Sequence, residues 1–473
     1  MFLVFSNQIT EDYLSKIAQY DTNTQVKTVQ EIYFDYYVIN KNVFHLNIDS
    51  CIANLSMKPE NRWTIYDKLV FDRIYEGLIS ICLANRLFPV IKTVKGSSIC
   101  SKLSEKVSEY FQDNLDFIKK ECGREQNGIL FLFDRKEDPV TPLINQWTYQ
   151  AMLHELIGIH NNVVTLKGEK EEKYVLSDIE SVDKFFATQM NNDYGTVAND
   201  VEQAGNRLRE DNSKLSKEAS IEDLRKLIDT LPEKKKESMA ITKHYKLFYE
   251  LSNYVTNHKL MELSPLEQDI ACNNNKKDQF NKISIILQDQ KVSPLDKTKL
   301  YLLFAFRYEE DSIVQNLKQL MKENNLENWI EYGDLLLEYA GKKKRVLDVL
   351  SNKDFLSKSK KMFMNAFGNK NNVFMQHVSY LNDLLEKIIK GRTKDIDVYT
   401  VLGDDSYKPQ KVILFSFGGI TFEECKDLTL LGKTLDVPII VGGTSILNSK
   451  SFLGELLMIK NNRNDIIVDV NPK

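Results

Sequence analysis

Three stretches of this chain are apolar without a break and end in a charged step or a glycine pair: GILFLFDR at 128–135, KVILFSFGG at 411–419 and VPIIVGG at 437–443. A strand covered on both faces has this pattern, whereas a half-exposed strand alternates. Between the second and third runs lies TFEECKDLTLLGKTL, a helical stretch of the length a parallel strand–helix–strand crossover needs. The first run is far from the other two. Placing all three in one sheet makes the long middle of the chain an insertion and predicts a discontinuous α/β unit built from residues 47–135 and 398–473.

The middle, about residues 136–397, is expected to be almost strand-free. Its apolar residues recur at helical spacing, with Ile221, Leu224, Leu227, Ile228 and Leu231 in one piece and Leu247, Leu251, Tyr254 and Val255 in another. Residues 64–121 also read as mainly helical. At the N-terminus, MFLVFSN reads as a short strand, EDYLSKIAQY as an amphipathic stretch and VQEIYFDYYVI as a β-rich run, which makes residues 1–46 a first, small α/β unit. A chain that opens inside a strand predicts that this unit is incomplete. The fold class is therefore α/β plus mostly α.

Composition narrows the function. With 63 Lys+Arg against 67 Asp+Glu, the net charge of −4 supplies no basic field for nucleic acid. Six cysteines are scattered without a C-x-x-C pair, the pattern of a reduced, cytoplasmic protein with no metal site. No apolar run approaches the roughly 20 residues of a membrane span, and the apolar start lacks the basic flank of a signal peptide. The histidines His45, His154, His160, His244, His258 and His377 are isolated, and GKKKR at 341–345 reads as a loop or helix end.

The charged corner after the first strand has two readings. Asp138-Pro139 and Thr141-Pro142 force extended backbone, so a helix starts only after Thr141, its expected N-cap, and Pro142 suits the first turn. Tyr149, Met152, Leu153, Leu156 and Ile157 then form a buried helical stripe. A catalytic reading would use Asp134, Glu137 or Asp138 as a general acid or base, but no nucleophile elbow, H-E-x-x-H or Cys/His set accompanies them. Asp134, Arg135, Asp138, Pro139 and Pro142 are read instead as a structural ion-pair corner. Gly418-Gly419 and Gly442-Gly443 follow strands and keep open an alternative, a phosphate- or nucleotide-binding α/β enzyme, although neither matches a complete phosphate-loop motif.

The segment FLFDRKEDPVTPLINQWTYQAMLHELIGI at 131–159 resembles the hallmark region of the Sec1-like (SM) family, regulators of SNARE-mediated membrane fusion. The similarity continues through SPLEQDIAC at 264–272, NVFMQHVSYLNDLLEKIIKGR at 372–392, VILFSFGGITFEE at 412–424 and VGGTSILNSKSFL at 441–453. The resemblance implies an arch-shaped protein of three domains, with a truncated first domain and a helical hairpin near 196–240 in the third. It implies a cytoplasmic monomer without cofactor or enzymatic activity, peripheral on endosomal or Golgi membranes, that binds a syntaxin-type Qa-SNARE and the assembling SNARE bundle. Carried over position by position, it places Leu14, Ala18, Val26, Val29 and Glu31 at a pocket for the SNARE N-terminal peptide, with Leu14 as its floor and Glu31 on its rim. Ile221, Leu224, Ile228 and Leu231 would grip SNARE helices from the hairpin.

Overall fold

The computed structural model describes the backbone of residues 1–214, 221–347, 372–394, 396–404 and 407–468, and the side chains of these residues except 208–214, 221–234 and 462–468. In chain order its strands are β1 (Phe2–Phe5), β2 (Thr28–Glu31), β3 (Tyr37–Asn40), β4 (Val43–His45), β5 (Pro89–Val94), β6 (Gly128–Asp134), β7 (Ile159–His160), β8 (Val163–Leu166), β9 (Glu172–Val175), β10 (Val398–Leu402), β11 (Val412–Phe417), β12 (Ile420–Thr421), β13 (Ile439–Gly443) and β14 (Ile446–Leu447).

Seven strands form the central sheet in the order β10-β5-β6-β11-β13-β4-β3. The three apolar runs are its middle. β6 lies parallel to β11, with Ile129 opposite Val412 and Asp134 opposite Phe417, and β11 lies parallel to β13, with Val412 opposite Ile439. Every residue of β5, β6 and β11 is buried, as continuous apolar runs require. Burying each Phe, Leu or Ile of β6 contributes roughly 1.5–3 kcal/mol of transfer free energy, so the seam between the two distant segments is strongly driven. The helix Phe422–Leu435 returns the chain from β11 to β13, the crossover expected from sequence.

Residues 64–121 are mainly helical, with β5 between the helices Ile65–Ala84 and Ser98–Asp113. Among the described residues of the insertion the strands are β7, β8 and β9, which form a small antiparallel sheet. Three expectations need correction. The chain leaves the first unit earlier than residue 46: β3 and β4 join the edge of the central sheet, leaving β1, β2 and the helix Glu11–Tyr20 as a separate pair of parallel strands with one helix. Thr141 is not the N-cap of the next helix. It opens a single 3-10 turn, Thr141–Leu143, and the helix starts at Tyr149 after Thr148. That helix widens to a π turn over Leu153–Ile157, which rotates Leu156 and Ile157 to half-buried positions and ends the stripe.

The other described elements of the insertion are helical. Helices Tyr194–Lys214 and Ile221–Asn257 pack on each other where their side chains are described, with the Tyr194 and Phe248 rings 5.0 Å apart and the Tyr194 and Ser252 hydroxyls hydrogen-bonded at 2.8 Å. All six cysteines are buried as free thiols.

Candidate functional site

The corner after β6 is assembled from both sides of the insertion. Thr421 and Glu424 form a capping box at the start of helix Phe422–Leu435, so the Glu424 carboxylate is fixed at the end of β11. Arg135 Nη2 donates to both Glu424 oxygens at 2.9 and 2.8 Å, Nη1 donates to the Asp138 carbonyl at 2.9 Å, and Nε donates to the Gly419 carbonyl at 3.2 Å. Both Arg135 and Glu424 are fully buried. The Asp138 carboxylate accepts the backbone N–H groups of Val140 and Thr141 and the hydroxyls of Thr141 and Ser379. Burial pushes the Asp138 carboxyl up, but Arg135, His377 and the Thr141 hydrogen bonds outweigh it and hold the group below its ordinary value.

Asp134 accepts from the Ser97 hydroxyl at 2.6 Å and from the Lys136 N–H at 3.1 Å. Glu137 takes the backbone N–H groups of Val346 and Leu347, each at 2.8 Å. Burial nevertheless raises its pKa to about 7. Pro139 and Pro142 are buried, with Pro142 in the 3-10 turn. Asp134, Arg135 and Asp138 thus join β6, β11 and the insertion.

The glycine turns also serve packing. Gly418 and Gly419 have φ of +87° and +98°, which favour glycine. A Cβ on Gly419 would lie 2.6 Å from Leu447, and one on Gly442 would lie 2.3 Å from the Phe44 ring. The positions a Cβ would take on these two glycines are thus occupied by the protein's own side chains. His377 and His244 are bonded to Thr141 and Asp183, and Arg345 of the basic run is paired with Glu309. Among the described residues no group of three or more His, Cys, Asp or Glu could hold a metal ion.

A second, more open site lies on the N-terminal unit. A cavity of about 550 Å³ is lined by Ile9, Leu14, Val29, Gln30, Glu31 and Tyr33 from that unit and by Leu83, Phe117 and Glu121 from the helices Ile65–Ala84 and Leu115–Cys122. Three of the five residues expected at a peptide pocket, Leu14, Val29 and Glu31, meet here. Ala18 and Val26 do not line it: Ala18 is exposed on its helix and Val26 is half-buried before β2. The Glu31 carboxylate accepts the Ile9 N–H at 2.8 Å and the Tyr33 hydroxyl at 3.2 Å, so the rim residue is also an internal brace. Burial raises the Tyr33 hydroxyl pKa, and its ring stands 6.4 Å from Phe117. Phe117 and Leu83 were not foreseen because nothing in the sequence ties their helices to this strand.

The hairpin residues Ile221, Leu224, Ile228 and Leu231 fall on the helix Ile221–Asn257, but their side chains lie outside the described residues. No described helix is long and apolar enough to cross a membrane.

A mostly parallel sheet assembled from two distant segments, with a large helical insertion between them, agrees with the fold the Sec1-like resemblance implied. The Sec1 family model matches residues 1–455, and the chain belongs to that family. The vacuolar protein sorting-associated protein 45 homolog of Arabidopsis thaliana is 32% identical over 469 residues, spanning 96% of this chain and 81% of the relative. Vacuolar protein sorting-associated protein 45 of Homo sapiens is 32% identical over 470 residues, spanning 96% and 80%. In three dimensions the chain matches the SM protein Vps45 in complex with the Qa SNARE Tlg2 with a TM-score of 0.84 at 29% identity, covering 97% of this chain and 81% of that one.

Proposed function

We propose that this chain is a non-catalytic SM protein that binds a syntaxin-type Qa-SNARE and promotes assembly of the SNARE bundle on the endosomal or Golgi route. One observation carries the reading: the match over 97% of the chain to a Vps45 structure that holds a Qa SNARE. In this reading the protein works in the cytoplasm and reaches membranes through its partners. The cavity at Leu14, Val29 and Glu31 receives the N-terminal peptide of the SNARE, its apolar wall taking an aliphatic or aromatic side chain. Ile221, Leu224, Ile228 and Leu231 on the hairpin take SNARE helices.

The test is retention of the folded chain on immobilised cytosolic domains of the syntaxin-type proteins from the same organism. Retention by one or a few of them is expected. Failure to bind any of them, with folding verified by circular dichroism, overturns the reading.

A further inference from the structure

Residues of β1 and β2 alternate between exposed and half-buried, and their parallel register sets Phe2 beside Thr28 and Val4 beside Gln30 on one face. Val29 and Glu31 point the other way, into the N-terminal cavity with Leu14 and Phe117. The alternation continues past β2, where the Ile32 and Phe34 N–H groups donate to the Phe5 and Ser6 carbonyls and both side chains are again exposed. The outer face thus presents Phe2, Val4, Ile32 and Phe34, at 73, 55, 44 and 57% exposure, together with the exposed Thr28 and Gln30. No described residue covers it.

The size of this face is that of an interface. At about 150–250 Å² for a whole aromatic side chain and somewhat less for an aliphatic one, its four apolar residues expose on the order of 400 Å². A standard contact removes about 800 Å² from each partner, rather more than half of it apolar, so the patch has the apolar area such a contact uses. Its chemistry narrows the occupant. No Lys, Arg, Asp or Glu is among the six, so neither an anionic nor a cationic partner gains from charge. Lipid does not fit, because β1 and β2 form a sheet of two strands, and hydrocarbon leaves the ladder groups at their outer edges and the Gln30 amide unpaired.

A second copy of the same face meets each requirement. Its area and composition match, and a carboxamide set against another of its kind both donates and accepts. Two sheets packed face to face at about 10 Å bury the side chains between them, and a two-fold axis closes the contact at two copies. We propose that the chain self-associates through this face into a two-fold dimer, in place of the monomer the family resemblance implied. The cavity at Leu14 lies on the opposite face and stays open in both copies, so the dimer does not depend on the function proposed above.

Sedimentation velocity of the full chain from about 1 to about 50 µM is expected to show the mass of one chain passing into that of two. Val4→Lys puts a charge into the face and is expected to weaken the dimer at least about tenfold, with an unchanged circular dichroism spectrum because Val4 is exposed. Leu14→Asp, on the inner side, is expected to dimerise like the native chain. A native chain that stays monomeric throughout the range, the result if a different protein covers the face, overturns the proposal. So does a dimer of native strength in Val4→Lys, a dimer weakened equally by Leu14→Asp, or a mass that climbs without stopping at two copies. If Val4→Lys does not fold, Phe34→Gln takes its place, and an unchanged dimer in that variant overturns the proposal.

Discussion

The corner after β6 and the N-terminal cavity are both rich in carboxylates and aromatic rings, yet they are built in opposite ways. At the corner, Arg135 and Glu424 are fully buried, and their partners come from segments on both sides of the insertion. In the N-terminal unit no residue from 1 to 38 is fully buried, and the cavity wall is shared with helices of the larger body. Loss of one partner of a buried ion pair is costly because the other charge stays buried without its counter-ion. A half-open cavity keeps its groups available to something outside the chain. Charged residues in a sequence therefore say little about function until their burial is known.

The comparison can be broken by substitution. Arg135→Ala leaves the Glu424 carboxylate buried without its counter-ion and is expected to cost about 3–5 kcal/mol, read as a fall in the denaturant midpoint or as loss of soluble protein. Combining Arg135→Met with Glu424→Leu removes both charges and should recover about half of that loss. If the double variant is no better than Arg135→Ala, the corner depends on its other hydrogen bonds rather than on the ion pair.

Glu137 sharpens the same contrast through pH. Its folded pKa, near 7, lies above the ordinary carboxyl value, so the folded state holds the proton more tightly than the unfolded chain. The stability this provides is complete below the ordinary carboxyl pKa and is lost as pH rises through 7. Glu137→Gln mimics the protonated form. It should match the native protein near pH 5 and exceed it near pH 8.5 by about 1–3 kcal/mol, measured by urea unfolding at both values. Equal stability at the two values would mean that the Val346 and Leu347 N–H groups fully offset burial.

The smallest expected stability effect lies in the cavity. Leu14→Asp, at a side chain that is 38% exposed, should change stability by no more than about 0.5 kcal/mol. On the proposed function it should weaken a fluorescent N-terminal peptide of the cognate Qa-SNARE at least about tenfold. A large loss of Tm would instead make this cavity a second structural joint.

The central strands were legible because burial on both faces leaves an unbroken apolar run, and the crossover helix because it sits between two such runs. β5 was not, since PVIKTV carries a lysine. Lys92 is nonetheless buried, with its ammonium 2.7 Å from the Thr400 hydroxyl on the neighbouring strand, a partner that only the fold supplies. The run VQEIYFDYYVI reads as β-rich, but the chain changes sheets between Glu31 and Tyr37, and apolar content alone does not mark such a switch. At the corner, Arg135 was identifiable as an ion-pair residue from its neighbours. Its partner was foreshadowed only by the T-x-x-E capping pattern at Thr421–Glu424. The peptide-site residues came from family resemblance, and helical spacing gave no hint that Leu14 would face Phe117.

The seam between β6 and β11 also sets a schedule for biosynthesis. At about 5–20 residues per second, the ribosome needs roughly 15–60 s after completing β6 to deliver the strand that pairs with it. Throughout that interval a largely apolar strand lacks its β11 neighbour. A nascent chain of this design must be shielded while the insertion is being made, so its yield in a foreign host should depend on chaperone supply more than on codon choice.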